Sequence, residues 1–198
     1  MAKGELKIQA WMDQLRRMRE MQYAYHKKFF HGLYFFLVLV IACLLWDSSL
    51  SVALVPFLVI TAGTQSCFYL HFVDFARLHA RHLETQLNRG LGPGTLVGSK
   101  IEDLYFYPID ASKIGGFVFS APFRFFSFFT FHWVILWLGL AAFALWRLLP
   151  AMGPCGCDYL LGLAVWGGLN LAYLAWFFGY RQSHRLMGSA LRADSRKG

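Results

Sequence analysis

The sequence predicts an all-α integral membrane protein. Its architecture is a four-transmembrane-helix bundle of two antiparallel hairpins, with an N-terminal amphipathic helix and cytoplasmic helical extensions. Two observations predict this. Four apolar runs, near residues 29–46, 52–74, 126–146 and 159–179, approach the length at which a helix crosses a ~30 Å hydrocarbon core. If each run crosses, 18 of the 19 Lys and Arg fall on one side of the membrane, and Arg147 alone falls on the other. Basic residues favour the cytoplasmic side, so both termini and the middle loop are expected in the cytoplasm, at the cell (inner) membrane.

Composition supports the same class. The chain is 57% hydrophobic with a formal charge of +8, and that charge hugs the ends of the apolar runs. The placement reads as topology and attraction to anionic lipid head groups rather than as nucleic-acid binding. The expected partners are therefore a bilayer with anionic lipids, together with further copies of the chain or other membrane subunits.

Residues 1–28 form a leading cytoplasmic segment. Within 5–25, Ile8, Trp11, Met12, Leu15, Met18 and Tyr25 recur at three- and four-residue steps and line one helix face. Such a helix either lies in the head-group layer or docks on the protein's own cytoplasmic helices. Residues 29–88 are the first hairpin. Span one, Phe29–Trp46, is followed by a short outer turn at Asp47, Ser48 and Ser49. Span two begins near Val52 with Pro56 in its first turn, where the missing N–H has no partner to lose. The helix is expected to run on to about Asn88, where Gly90, Gly92, Pro93 and Gly94 break it.

Residues 89–125 read as a cytoplasmic or interfacial loop. Its aromatics, from Tyr105 to Phe125, lie beside Lys113 and Arg124 and suit the membrane–water boundary. Residues 126–192 are the second hairpin: span three to Trp146, an outer loop Pro150–Asp158, span four from Tyr159, and a cytoplasmic continuation Arg181–Arg192. Residues 193–198 are a tail. The first apolar run follows 28 residues and lacks a small-residue cleavage pattern, so it reads as an uncleaved span. The halves also align: Trp46 with Trp146, and Tyr69, Leu70, Arg77 and Arg81 with Tyr173, Leu174, Arg181 and Arg185. A parallel repeat about an axis along the membrane normal has this pattern.

Four groups of residues carry candidate chemistry. Ala164, Gly168 and Ala172 place small side chains on one face of span four, for packing within the bundle or between subunits. Thr61, Thr64, Gln65 and Ser66 in span two and Asn170 in span four are polar groups inside hydrocarbon. They need protein or water partners, either as interhelical glue, with Gln65 paired to Asn170, or as the lining of a polar path. Cys155 and Cys157 sit one residue apart in the outer loop, a spacing that disfavours a mutual disulfide. His31, His71 and His132 lie toward the cytoplasmic ends of three spans, and imidazole is a common haem-iron ligand. His79 and His82, one turn apart, present two more ligand-type side chains.

The text Lys28-Phe29-Phe30-His31-Gly32 and Phe131-His132-Trp133 resembles the His-bearing spans of four-span b-type cytochromes. That resemblance implies haem b held by His71 with His132 or His31. The chain departs from the common two-haem pattern in lacking a second set of mid-span histidines. Gly90–Gly94 lacks the Lys-Ser/Thr ending of a phosphate-binding loop, and the sequence has no nucleophile elbow, zinc-protease helix or paired-cysteine zinc motif. The expected function is therefore non-catalytic and cofactor-free: an oligomeric channel or pore, or a subunit of a larger membrane complex. The alternative is an electron-transfer protein carrying haem b.

Overall fold

The computed structural model describes residues 3–46, 48–106, 113–114, 117–118, 123 and 125–180. These residues are helical apart from turns and one strand pair. The order is α1 (Lys3–Leu45), α2 (Ser49–Leu91), α3 (Gly98–Tyr105), β1 (Lys113–Ile114), β2 (Phe117–Val118), α4 (Phe125–Met152), a 3₁₀ turn (Gly153–Cys155) and α5 (Gly156–Tyr180). Three stretches are long and apolar enough to cross a membrane: Gly4–Leu45, Ser49–Leu91 and Phe125–Phe178, the last holding both α4 and α5. Asp47, Arg124, the expected continuation Arg181–Arg192 with His184, and the tail 193–198 lie outside the described residues.

The chain forms two compact units, and α1, α2 and α4 each contribute to both. The first comprises Met1–Val38 and Gln65–Gly139. Here α1 and α2 run antiparallel, since later residues of α1 meet earlier residues of α2. The Gln14 amide N–H donates to His79 Nε2 (3.0 Å), and Tyr25 stacks on Phe72 at 4.8 Å. The leading amphipathic segment is continuous with the rest of α1. Its apolar face docks on α2: Leu15 is buried with Ala80, Leu83 and Leu87, and Ile8, Trp11, Met18 and Leu96 pack around them. Each fully buried Leu contributes about 1.5–3 kcal/mol, which favours docking over a separate membrane-parallel helix. In this unit α1 also runs parallel to α4, as the pairs Phe30–Phe129 (5.5 Å) and Tyr34–Trp133 (6.3 Å) record.

The segment expected to be a loop, 89–125, holds more structure than its composition suggested. Gly92 (φ +114°) and Gly94 (φ +82°) take the left-handed backbone that turns the chain after α2. The Asn88 side chain then clamps that turn. Its Nδ2 donates to Leu96 O and its Oδ1 accepts from Leu96 N–H, both at 2.8 Å. The chain returns as α3 and later forms the antiparallel pair β1–β2, with Lys113 opposite Val118. The aromatics divide. Phe126 is 2% exposed, packed against Phe29, Phe106 and His26, while Tyr105, Phe123 and Phe125 are exposed.

The second unit comprises Leu39–Thr64 and Leu140–Gly198. The turn between α1 and α2 is as short as expected: Trp46 N–H donates to Ala42 O and Ser48 N–H to Trp46 O. The outer loop Pro150–Asp158 is a correction. Helix α4 runs through Pro150 to Met152, Gly153 (φ +53°) ends it, and α5 begins at Gly156, so only the 3₁₀ turn separates the helices. Pro150 has no N–H to donate to Trp146 O, so one bond of the last turn is missing just before the helix stops. Helices α2 and α5 run parallel with a constant offset. Tyr159 Oη donates to Ala53 O (2.8 Å), and Thr64 meets Asn170, each pair 106 residues apart.

Candidate functional site

Three helices of the first unit converge on a cluster of charge. Arg19 of α1 bonds both Glu84 of α2 and Glu102 of α3 through its guanidinium. Gln22 joins it, accepting from Arg19 (3.0 Å) and donating to Glu102 (2.8 Å). Arg77 donates to Asp103 (3.1 Å) and lies 3.6 Å from Glu102, and Arg81 reaches Asp103 at 3.5 Å. Asp103, on α3, is therefore the partner that Arg77 and Arg81 share.

Glu84 has a second task. Its Oε2 accepts the Ser99 backbone N–H (2.8 Å), so it caps α3, whose flanking Val97 offers no side-chain cap. Burial alone would raise the Glu84 pKa. The Ser99 N–H and the Arg19 guanidinium outweigh it, and the carboxyl titrates below its ordinary 4.5. Burial alone would lower the Arg19 pKa, but Glu102 and Glu84 reverse the sign and hold it charged. Gly98 makes room for this cluster: a Cβ there would lie 2.9 Å from Arg19 Nη2 and from Glu84 Oε1. His26, stacked on Phe106 at 5.7 Å, is held below its ordinary 6.5 by burial and then by Arg77.

A cavity of about 310 Å³ opens beside this unit, lined by Lys28, His31, Gly32, Phe35, Phe36, Gln65 and Tyr69. The α1 residues fall at steps of three and four and share a face, and Gln65 and Tyr69 are one turn apart on α2. Gly32 admits the Tyr69 ring, whose Cε2 is 3.4 Å from where a Cβ would sit.

The expected haem ligands sit as follows. His31 is exposed and lines the cavity. His71 is half-buried with its ring 5.8 Å from Phe72, and it is not among the cavity residues. His132 is exposed, its Nδ1–H donates to Phe128 O on its own helix (2.8 Å), and its ring lies 4.1 Å from Phe128. His79 accepts from Gln14, and burial followed by His82 lowers its pKa. Among the described residues no three His, Cys, Asp or Glu side chains form a metal-binding group.

The polar residues of the apolar runs are paired differently from expectation. Thr64, not Gln65, meets Asn170. The Thr64 Oγ1 lies 2.9 Å from Asn170 Oδ1 and 3.0 Å from Ile60 O, so its one proton serves one acceptor at a time. Asn170 Nδ2 donates to Trp166 O (2.9 Å), Thr61 to Phe57 O (2.8 Å), and Gln65 Nε2 to Tyr69 Oη (2.7 Å). Successive helix positions differ by about 100°, so one of Thr64 and Gln65 faces α5 and the other does not. Ser66 is half-buried on α2.

Among the described residues, the small-residue face of α5 is not the face that packs on α2. Tyr159, Gly167 and Asn170 turn toward α2, and a Cβ at Gly167 would touch Ile60 at 3.7 Å. Ala164, Gly168 and Ala172 are exposed, and a Cβ at Gly168 would meet nothing within 4 Å. The four cysteines are free, with Cys155 and Cys157 exposed.

Two features went unseen in the sequence. Glu84 and Arg19 lie 65 residues apart on amphipathic text with many charges, and nothing local pairs them. The Lys28–Tyr69 cavity had one weak signal, a glycine followed by aromatics just after a basic pair. No protein-family model matches the chain, and neither a curated protein nor a solved structure matches it.

Proposed function

We propose that this chain is an integral membrane protein of four helical spans with both termini in the cytoplasm. It acts without catalysis as one subunit of an oligomeric membrane assembly, either a channel or pore of several copies or a component of a larger complex. The observation that carries this reading is exposure. Within the three candidate stretches, 17%, 22% and 11% of the most apolar window is buried inside the chain. Leaving apolar surface in water costs about 25 cal/mol per Å², whereas hydrocarbon imposes no such cost.

Helix directions support four crossings. Helix α1 is antiparallel to α2 and parallel to α4, and α2 is parallel to α5. If each apolar run crosses, 18 of the 19 Lys and Arg gather on one side. The basic residues then assign that side to the cytoplasm. Arg147, the exception, has a reason to be where it is: it donates to Leu44 O (3.0 Å) in the last turn of α1, where carbonyls run out of partners within the helix. The uncovered face Ala164, Gly168 and Ala172 supports the subunit reading, because small residues let helices of neighbouring copies approach closely in lipid.

Tags fused to Met1 and Gly198 are expected to be shielded together in right-side-out vesicles; exposure of either one overturns the topology. Cross-linking in native membranes is expected to give oligomers that Gly168→Leu converts to monomer. Unchanged assembly removes α5 from the interface.

A second reading, haem b on His71 with His132 or His31, is favoured by one detail. His132 donates through Nδ1, which leaves Nε2 as the lone-pair nitrogen that an iron binds. Purified protein with a haem-type visible absorption band, lost in His132→Ala, would establish it; colourless protein from haem-replete cells would remove it.

A further inference from the structure

We infer that the cavity between α1 and α2 is a binding site for one anionic phospholipid, holding its phosphate at Lys28 and His31 and the start of an acyl chain along Phe35 and Phe36. The inference rests on the membrane reading above, which places residues from Phe29 onward in hydrocarbon.

The lining is graded along α1 in the way a phospholipid is graded. Lys28 and His31 stand at the entrance. Phe35 and Phe36 lie seven and eight residues beyond Lys28, about 10–12 Å deeper at 1.5 Å per residue. From α2, Tyr69 sits toward the entrance and Gln65 one turn deeper. Lys28 meets no carboxylate among the described residues; its ammonium lies 5.1 Å from the Tyr25 ring, a contact that leaves its hydrogen-bond donors for a ligand. Tyr69 Oη accepts from Gln65, which leaves its own proton for a further acceptor. A lysine, an imidazole and a phenol around one opening match a phosphate diester.

Size selects the same ligand. At about 310 Å³ the cavity holds a head group and a short length of chain, not a whole lipid. The remaining acyl carbons would run along Phe35, which is 64% exposed, into the bilayer. Basic pockets between spans on the cytoplasmic side are a known physical solution for anionic head groups. Gly32 keeps the pocket open, because a larger residue would fill it beside Tyr69.

The test uses the full chain in detergent micelles, read by native mass spectrometry, titrated separately with dioleoylphosphatidylglycerol, dioleoylphosphatidylcholine and inorganic phosphate. Phosphatidylglycerol is expected to bind about fivefold more tightly than phosphatidylcholine, the factor that corresponds to about 1 kcal/mol per basic residue. Lys28→Ala should abolish that preference, Lys28→Arg should retain it, and Lys100→Ala, an exposed lysine on α3, should leave it intact. Gly32→Leu should block adducts of both lipids, with circular dichroism confirming unchanged helix content. Equal binding of the two lipids by the native chain, a preference that survives Lys28→Ala, or displacement of phosphatidylglycerol by inorganic phosphate overturns the inference. Sodium carbonate extraction of native membranes separates this failure from the broader one. A chain that resists extraction yet shows no lipid preference loses the site alone, whereas a chain that extracts loses the membrane reading with it.

Discussion

The two units solve opposite problems with the same three helices. In the first, α1, α2 and α4, joined by α3, bury polar groups: the charged Asp74, Arg77 and Glu84 and the neutral Gln22, Ser99 and Ser127 are all inside it. In the second, among the described residues, the buried side chains are apolar, Val40, Val52, Val55, Ala62, Ala144 and Leu148, and large apolar side chains such as Leu161 and Leu171 point outward. A helix end that lies in water gains by collecting its ion pairs away from screening. A helix segment in hydrocarbon has no such charges to collect, and it packs by backbone proximity and a few hydrogen bonds. The contrast teaches that one continuous helix can change the rule of its interior within a few turns; on the membrane reading proposed above, the two rules answer to water and to hydrocarbon.

The largest effect should come from Glu84→Ala. It removes the partner of Arg19 and the cap of α3 together, and breaking a buried ion pair costs about 3–5 kcal/mol. Hydrogen exchange should show lost protection in α3 and residues 5–25, with α5 unchanged. Equal loss in α5 would break the division into two differently built units.

Acid should act on the first unit before the second. His26 is held below its ordinary 6.5, so the fold favours the neutral ring. Its contribution is complete above pH 6.5 and is lost as pH falls through the lower folded value. His79 shifts in the same direction and adds to it. Glu84 is held below 4.5, so its contribution survives further acidification and goes last, below that pH. Thermal melts in detergent should therefore decline in two stages, and His26→Phe should shrink the first. A flat profile between pH 7 and pH 5 would count against the packing of His26 beneath Phe106.

The smallest effect should come from the second unit. Thr64→Val deletes its bond to Asn170, and interhelical hydrogen bonds in membranes average about 0.6 kcal/mol. Unfolding in mixed micelles should move by about that amount. A loss of several kcal/mol would mean that the second unit, like the first, depends on polar partners.

Much of the helical plan was legible. Runs of apolar residues reveal themselves locally, and so do the stops at Gly92 and Gly94 and the short turn that joins the first two runs. What was not legible depends on rotation about the helix axis. Thr64 and Gln65 are neighbours of nearly equal polarity, and text alone cannot say which faces Asn170. The same is true of α5, where Gly167 packs on Ile60 while Gly168, one step on, meets nothing. The helix α3 was missed because its cap is Glu84, fourteen residues before Gly98 and on another helix.

Helix length, the spacing of apolar runs and the side on which basic residues gather follow from composition along the chain, since each is a property of neighbouring residues. The charged knot of Arg19, Glu84 and Glu102, the cavity at Lys28 and the outward turn of Ala164, Gly168 and Ala172 came from packing. Each requires residues far apart in the chain to meet at one register and one rotation, and those are set by side-chain fit between helices, which no local pattern encodes.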